Sequence, residues 1–408
     1  MKILWVSHFL PHPPRGGMLQ RSYNLVAQIG GRAEVRLCAF FQRALHRNQQ
    51  ELDESIAALR QNCSHIDVVP IWSDRSAVHR LTLAGASLLT MNGYTVNWLK
   101  SGDMARTLRK VFAEQRFDAI HFDTISLAPY RALVPSDTPT FLCHHNIESA
   151  MMHRRSLNER SFVKAGYFRQ EAWKLARYER RVATSFTGHI TVSADDSARL
   201  IQTVGDVPCK VIPNGVDTEF FSPRPGVLQT PNSVVFAGGM SWYPNRDAML
   251  FFANDIWPLL KARVPDATAT IIGKNPPEAL RKLGERDPSF KVAGFVDDVR
   301  PYLTAAAVYI CPIRDGGGTR LKLLDAMSMG KAIVSTTVAA EGLETVPDKH
   351  LLLADTPTAF ADSVARLFKD AGLRASLEGA ARAHAERHFD WRLIGVNLYE
   401  TYRAAVQR

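Results

Sequence analysis

Three consecutive glycines, Gly316, Gly317 and Gly318, stand between an apolar strand candidate, Val308–Ile310, and the helical pattern that begins at Leu323. The intervening stretch adds Thr319, Arg320 and Lys322, so residues 312–331 read PIRDGGGTRLKLLDAMSMGK. A strand, a glycine turn and a helix N-terminus together make an anion site. Glycine lets the backbone approach closely, the first helical N–H groups lack partners, and the aligned peptide dipoles favour negative charge. Arg320 and Lys322 add full positive charges. A phosphate or diphosphate suits this chemistry. A tight turn flanked by a solvated basic pair is the alternative, because a glycine triplet by itself is a weak signal. Asp325 lies seven residues beyond Gly318 on the same helical pattern. A carboxylate there can accept hydrogen bonds from ribose hydroxyls.

Other strand ends carry similar turns. Val234–Ala237 leads into Gly238 and Gly239, with Trp242 and Tyr243 next, which can stack a base or fill a cleft wall. Gly273 ends one strand candidate, and Gly294, Phe295 and Val296 end another, where backbone groups can read a nucleobase edge. Near the start, Gly16 and Gly17 precede a helix and can bring N–H groups against a phosphate or sugar. None of these is the GxGxxG dinucleotide fingerprint, so a nicotinamide cofactor is not supported. The run Cys143-His144-His145-Asn146-Ile147-Glu148 also follows a strand candidate. A histidine and a carboxylate at such a position can orient hydroxyls and move protons. Adjacent residues of an extended chain face opposite sides, which argues against His144 and His145 sharing one metal ion. His121 and Asp123 end the preceding strand candidate and can face the same cleft; an internally satisfied structural role is open for each of these histidines.

These residues need a frame. Short apolar runs alternate with helical patterns along the whole chain, which predicts α/β architecture with parallel sheets and crossover helices. Strand candidates in the first half are Ile3–Val6, Val35–Phe40, Ile66–Val69, Ala119–Phe122, Phe141–Cys143 and Ile190–Val192. In the second half they are Val211–Ile212, Val234–Ala237, Ala269–Ile272, Val292–Ala293, Val308–Ile310 and Ala332–Val334. At 408 residues the chain exceeds one ordinary core. Dense Pro and Gly punctuation over 204–233 marks a seam between two doubly wound domains. The expected division is 1–205, 206–388, and a terminal segment 389–408. Ligands of such sheets sit beyond the strands' carboxyl ends, so two facing sheets would share a cleft.

The net charge of +10 suits an anionic substrate, an anionic membrane surface or nucleic acid, and does not choose between them. No nucleic-acid-binding module is recognisable. Five dispersed cysteines without metal spacing fit a reducing cytosol. The first residues read as a buried strand, and no window is long and apolar enough to span a membrane. Residues 154–181 read as one long basic helix with interleaved aromatics. It is either a surface meeting an anionic membrane or lipid-linked acceptor, or a solvated helix with its own Glu partners.

Taken in order, these motifs resemble the retaining glycosyltransferases of family 4. Val211-Ile212-Pro213-Asn214-Gly215-Val216-Asp217 is similar to the family's interdomain VxPNGVD signature. Gly16-Gly17, the FAGGM turn at 236–240, the segment at 294–297 and GGGTRLKLLDAMSMGK at 316–331 follow in the family's order, spanning nearly the whole chain. Residues 388–402 are similar to the helix that returns to the N-terminal domain in the GT-B fold. The resemblance implies two Rossmann-like domains facing a cleft, an acceptor-side domain and a nucleotide-sugar domain. It implies metal-independent transfer of a sugar, with retained configuration, from a nucleotide diphosphate sugar to a hydroxyl acceptor, with no cofactor. His145 would contact the donor sugar. Arg320, Lys322 and the backbone of 316–319 would bind the diphosphate, and Asp325 the ribose. Gly294 to Val296 would frame the base, while Gly238, Gly239 and Gly273 would line the donor site. Gly16 and Gly17 would lie beside the phosphate and acceptor, with His121, Asp123 and Glu148 as acceptor-side groups. The sequence departs from the family's E-x7-E motif, with Gly317 and Asp325 at its ends. The usual Arg and Lys after the second domain's first glycine turn are Met240 and Asn245, with Arg246 adjacent. A lipid-linked or glycan acceptor in polysaccharide or glycolipid assembly, at the cytoplasmic face of the membrane, is the expected setting. A sugar-nucleotide 2-epimerase of the same fold and a silent nucleotide-sugar-binding module are the alternatives.

Overall fold

The computed structural model describes the chain except for Arg15, Arg160, Pro225, Gly317, Gly318 and Arg408. The expectations placed on Gly317 and Gly318 therefore lie outside the described residues. Two compact units are present: Met1–Pro213 with Trp391–Arg408, and Asn214–Asp390.

The first unit holds a seven-stranded sheet: β1 (Lys2–Ser7), β2 (Glu34–Phe41), β3 (His65–Pro70), β4 (Ala119–Phe122), β5 (Thr140–His144), β6 (Gly188–Thr191) and β7 (Cys209–Val211). Every pairing is parallel, in the order β3-β2-β1-β4-β5-β6-β7. Successive residues of β1 face opposite sides, so Ile3 and Trp5 enter one apolar cluster while Leu4 and Val6 enter another. Burial on both faces is what makes these strands near-continuous apolar runs. The Ile3/Trp5 face is covered by helix Gly17–Gly30 and by the terminal helix Trp391–Val406. Trp391, Ile394, Leu398 and Tyr402 recur at helical spacing on the buried side of that last helix. Gly395 lets the two helices meet: a Cβ there would lie 2.4 Å from Gln28 Cβ.

The second unit holds six parallel strands: β8 (Thr230–Ala237), β9 (Thr268–Ile272), β10 (Phe290–Gly294), β11 (Ala306–Cys311), β12 (Ala332–Ser335) and β13 (Leu352–Leu353). Their order is β10-β9-β8-β11-β12-β13. Both sheets reverse direction of growth once, between β1 and β4 and between β8 and β11. A crevice opens beyond the strand ends at such a point, and there this fold class binds its ligands.

Three expectations need correction. The seam is at 213/214 rather than 205/206, because Val211 belongs to β7, which pairs with β6 in the first sheet. Phe389 and Asp390 stay with the second unit, since Val216 N–H donates to Phe389 O at 2.7 Å and Thr218 Oγ1 donates to Asp390. Residues 154–181 are not one helix but parts of two, Glu148–Asn158 and Phe162–Ala183. At the break, Glu159 turns its carboxylate back to accept from Ser161 N–H at 3.0 Å.

Candidate active site

At the switch point of the second sheet, β11 runs out at Cys311 and helix Leu321–Ser328 begins with Arg320 as its N-cap. The backbone at Gly316 has φ +116°, a region L side chains rarely adopt. A Cβ there would also lie 3.2 Å from Arg320 Nη2 and 3.3 Å from Pro244 Cγ. The glycine thus makes room for a guanidinium, and Arg320 is buried. Lys322, two residues on, donates from Nζ to Asn245 Oδ1 and sits 5.3 Å from the Trp242 ring centre. Asn245 is held in turn, its Nδ2 donating to Gly239 O at 2.8 Å, which fixes its oxygen toward the lysine. Trp242 also lies 5.8 Å beneath the Arg320 guanidinium. Two cations therefore approach one indole ring, and the burial of Arg320 strengthens its attraction to an anion.

Thr319 Oγ1 and Asp325 Oδ1 are buried polar atoms with no hydrogen-bond partner among the described residues. Such atoms are rare in a finished structure and suit a ligand. Burial pushes the Asp325 carboxyl up to about 7 against the opposing pull of Lys322. Burial likewise pulls Lys322 down to about 8. Between pH 3.8 and about 7 the folded chain holds a proton on Asp325 that the unfolded chain has lost, so stability falls as pH rises through that window. Lys322 acts oppositely: from about 8 to 10.5 the unfolded chain holds the extra proton, and stability climbs. Asp325→Asn removes the first term. Its thermal midpoint at pH 7.5 should exceed the parent's while nucleotide affinity drops about tenfold, the value of one charged hydrogen bond. Calorimetric scans at pH 5 and 7.5 with a nucleotide titration check both; a midpoint lowered at pH 7.5 would contradict the assignment.

The remaining glycines divide by role. Gly273 is a packing residue, for a Cβ there would lie 2.1 Å from Gly238 O. Gly238 is confined by Asn245, whose Nδ2 would be 2.9 Å from its Cβ. Gly239 and Gly294 face open space, Gly294 with φ +70°, and Phe295 beside it is exposed. Val296 packs on the core edge. Met240 is buried, and Arg246 lies exposed over the Tyr243 ring, so Arg246 does not join the Arg320–Lys322 group.

At the first sheet's switch point, Ser7 and His8 leave β1, Asp123 leaves β4 and His145 leaves β5. Asp123 is fully buried and collects their donors. Ser22 Oγ donates at 2.6 Å and Ser7 Oγ at 3.1 Å. His8 Nδ1 and His145 Nε2 each approach at 3.2 Å. Burial alone would raise this carboxyl; the charge and N–H groups of His145, His121 and His8 outweigh it and hold it well below the usual range. Burial lowers His145, partly offset by Asp123. With Nε2–H directed to the carboxylate, Nδ1 is the acceptor, suited to a sugar hydroxyl. His8, Asp123 and His145 also offer three ligand atoms within 4.8 Å of one another, so the cluster could ring a cation; the same atoms already bond each other. Asp123→Ala would strip Ser7, Ser22 and His145 of their shared acceptor. Urea unfolding should show a loss of about 3 to 5 kcal/mol, against about 1 for Ser22→Ala.

Two acceptor-side expectations change. His121 is fully buried, stacked on Trp5 at 3.7 Å between ring centres, with Nδ1 2.7 Å from the Tyr402 hydroxyl. It belongs to the core and cannot meet a substrate. Asp123 is likewise enclosed by protein donors, so it positions His145 rather than touching an acceptor. Glu148 opens helix Glu148–Asn158; burial and the nearby Glu179 and Glu171 carboxylates push it up to about 7. His144 faces away from His145, its Nε2 3.0 Å from His189 Nδ1. Gly16 caps helix Gly17–Gly30 with φ +92° and open space beside it. Sequence reasoning did not single out Ser7, His8, Ser22 or Asn245 as parts of this machinery. For His8 a signal existed: it directly follows β1, the strand that flanks the switch point.

The sequence matches the family description Glycosyltransferase Family 4 over residues 15–220 and Glycosyl transferases group 1 over 231–370. The chain belongs to the family 4 glycosyltransferases. Among curated family relatives, the phosphatidyl-myo-inositol mannosyltransferase of Mycolicibacterium smegmatis is 28% identical over 199 residues, 47% of this chain and 50% of that protein. The Mycobacterium tuberculosis protein of the same name is 28% identical over 203 residues, 47% of this chain and 53% of the relative. The chain thus spans about half the length of the curated relatives it matches. Among solved structures, Anabaena HepE in complex with UDP superposes with TM-score 0.69 at 17% identity, covering 99% of this chain and 100% of that one. Sucrose-phosphate synthase from Thermosynechococcus elongatus gives TM-score 0.72 at 14% identity, with 99% of each chain covered. At such identities the likeness speaks for the GT-B fold.

Proposed function

We propose that this family member transfers a sugar from a nucleotide diphosphate sugar, a UDP- or GDP-sugar, to a hydroxyl of a glycan or lipid-linked acceptor, with the anomeric configuration retained. The observation that carries this reading is the convergence of Arg320 and Lys322 on Trp242 at the end of β11, beside the unpartnered Thr319 Oγ1 and Asp325 Oδ1. Cations beside neutral and acidic acceptors fit a diphosphate joined to a ribose. The two relatives described above are phosphatidyl-myo-inositol mannosyltransferases by name, which supports a lipid-linked acceptor and glycolipid or polysaccharide assembly.

In this reading the diphosphate leaves as an anion. The C1–O bond of the donor breaks, its electron pair stays on the diphosphate, and Arg320, Lys322 and the helix N–H groups stabilise the charge. The acceptor oxygen forms the new bond on the same face, and its proton passes to the departing phosphate oxygen. The two side-chain cations supply the charge neutralisation, so no resident metal is required. His145 Nδ1 orients a sugar hydroxyl, and Asp123 holds the imidazole in the tautomer that can do so.

Incubation with UDP-, GDP-, ADP- and dTDP-sugars, with and without lipid extract, tests the reading by chromatography of released diphosphate and proton NMR of the product anomer. Release of one diphosphate, stimulated by extract and with retained configuration, is expected. Conversion of the donor into its 2-epimer without acceptor, or an inverted product, would overturn it.

A further inference from the structure

His8 follows β1 at the first sheet's switch point and is 3% exposed, yet neither of its ring nitrogens has a hydrogen-bond partner among the described residues. Nδ1 only faces Asp123 Oδ2, at 3.2 Å. Leaving a buried imidazole in that state is costly, and it points to a ligand. The neighbours of His8 supply the rest of a coordination set. Asp123 offers a carboxylate oxygen and His145 a ring nitrogen, and one ligand atom from each of the three lies within 4.8 Å of the others. The two imidazoles meet edge to face, with ring centres 5.4 Å apart.

Two imidazoles and one carboxylate are zinc ligands of the kind that leave a fourth position for water. Tetrahedral zinc bonds of about 2.0 to 2.2 Å set neighbouring ligand atoms about 3.3 Å apart. His145 Nε2 lies 3.2 Å from Asp123 Oδ1, and His8 Nδ1 lies 3.2 Å from Asp123 Oδ2. The Ser7 and Ser22 hydroxyls orient the carboxylate from behind, at 3.1 and 2.6 Å, as outer partners of metal ligands do. A second set, His121, Asp123 and Cys143, shares the same carboxylate. It is the poorer host. All three of its members are wholly enclosed, whereas His145 keeps 8% exposure and so a way in for an ion. Burial also pushes the Cys143 thiol up to about 11, against the thiolate that zinc requires.

We propose that His8, Asp123 and His145 form a zinc site whose occupancy silences His145. The ion bonds to His145 Nε2, and the ring proton moves through solvent from Nε2 to Nδ1. Nδ1 is then a donor and no longer accepts from a sugar hydroxyl. Asp123 exchanges the Nε2–H group for the metal. The inhibitory consequence rests on the proposed transferase reading; the site itself does not. The competing location is the outer pair His384 and His388, one turn apart on helix Ala371–His388, where His384 Nε2 already donates to Leu343 O at 2.8 Å.

The test is equilibrium dialysis of the metal-free full chain against zinc chloride, with zinc read by atomic emission and cobalt(II) substituted for its visible absorption. One zinc per chain is expected, with the absorption of four-coordinate cobalt. His8→Phe and His145→Phe should each lower the affinity at least about tenfold. The thermal midpoint and the UDP and GDP affinities of His8→Phe should match the parent's, because the ring nitrogens of His8 hold no other group among the described residues. Diphosphate release should fall in proportion to zinc occupancy and return on chelation. No saturable binding, affinity undiminished in both variants, or affinity lost in His388→Ala instead overturns the site. Zinc bound at the site with undiminished release overturns its inhibitory role. Zinc binding that follows the two variants, with no release from any donor, supports the site and counts against the transferase reading alone.

Discussion

Arg320→Ala is expected to lower turnover at least about 10²-fold, and Lys322→Ala by a similar factor. The argument is electrostatic. Arg320 is buried and Lys322 half-buried, and both approach the same indole, so their fields are screened less than those of exposed cations. A group that stabilises charge developing on a leaving diphosphate contributes about 3 kcal/mol, which is the stated fold-change. The losses should fall on kcat, because charge on the leaving group is greatest in the transition state. Lys322 adds a pH signature. Its ammonium is lost near pH 8, so parent activity should decline above that value, and Lys322→Arg should move the decline upward. Arg246→Ala is the control: it is exposed over Tyr243 and should retain activity within about twofold. Steady-state release of diphosphate measures all four variants. Unchanged kcat in both Arg320→Ala and Lys322→Ala would remove the charge-stabilisation step.

The second large effect is on folding. Removal of residues 391–408 should leave the first unit unable to fold stably. That helix buries Trp391, Ile394, Leu398 and Tyr402 against the Ile3/Trp5 face of the first sheet. Each such side chain contributes about 1.5 to 3 kcal/mol, so their joint loss approaches the whole stability of an ordinary domain. Leu398→Ala alone should cost about 2 to 5 kcal/mol. Tyr402→Phe keeps the packing but removes the hydroxyl 2.7 Å from His121 Nδ1, for about 1 to 2 kcal/mol. Urea unfolding of the point variants, and solubility of the truncated chain, check the ordering. A soluble, cooperatively unfolding truncated chain would show that the helix is an appendage rather than part of the core.

Much of the framework could be read from the sequence because parallel strands buried on both faces are continuous apolar runs. Among the described residues, twelve of the thirteen strands overlap the strand candidates; β13, at Leu352–Leu353, lies in the apolar run Leu351–Ala354, which the alternation of runs and helices did not single out. Ownership of a strand is a different matter. Val211 sits amid linker-like prolines, and only its pairing with β6 assigns it to the first sheet. Glycine marks the turn after β11 well, since close approach and positive φ at Gly316 demand it. Which side chains complete the site is less legible. Asn245 looked like the loss of a cation, yet its oxygen is the acceptor that holds Lys322. His121 and His145 were alike in sequence, but the terminal helix lies 281 residues beyond His121 and supplies the Tyr402 that encloses it. Long-range closure of that kind leaves no local pattern.

Isothermal titration of UDP, GDP, ADP and dTDP into the full chain at pH 7 tests the central claim most directly. One diphosphate should bind saturably at one site per chain, and its affinity should fall at least about tenfold in Arg320→Ala while Arg246→Ala binds as the parent does. Absence of saturable binding by all four nucleotides, or undiminished affinity in Arg320→Ala, would contradict the assignment of the β11–helix turn as the diphosphate site.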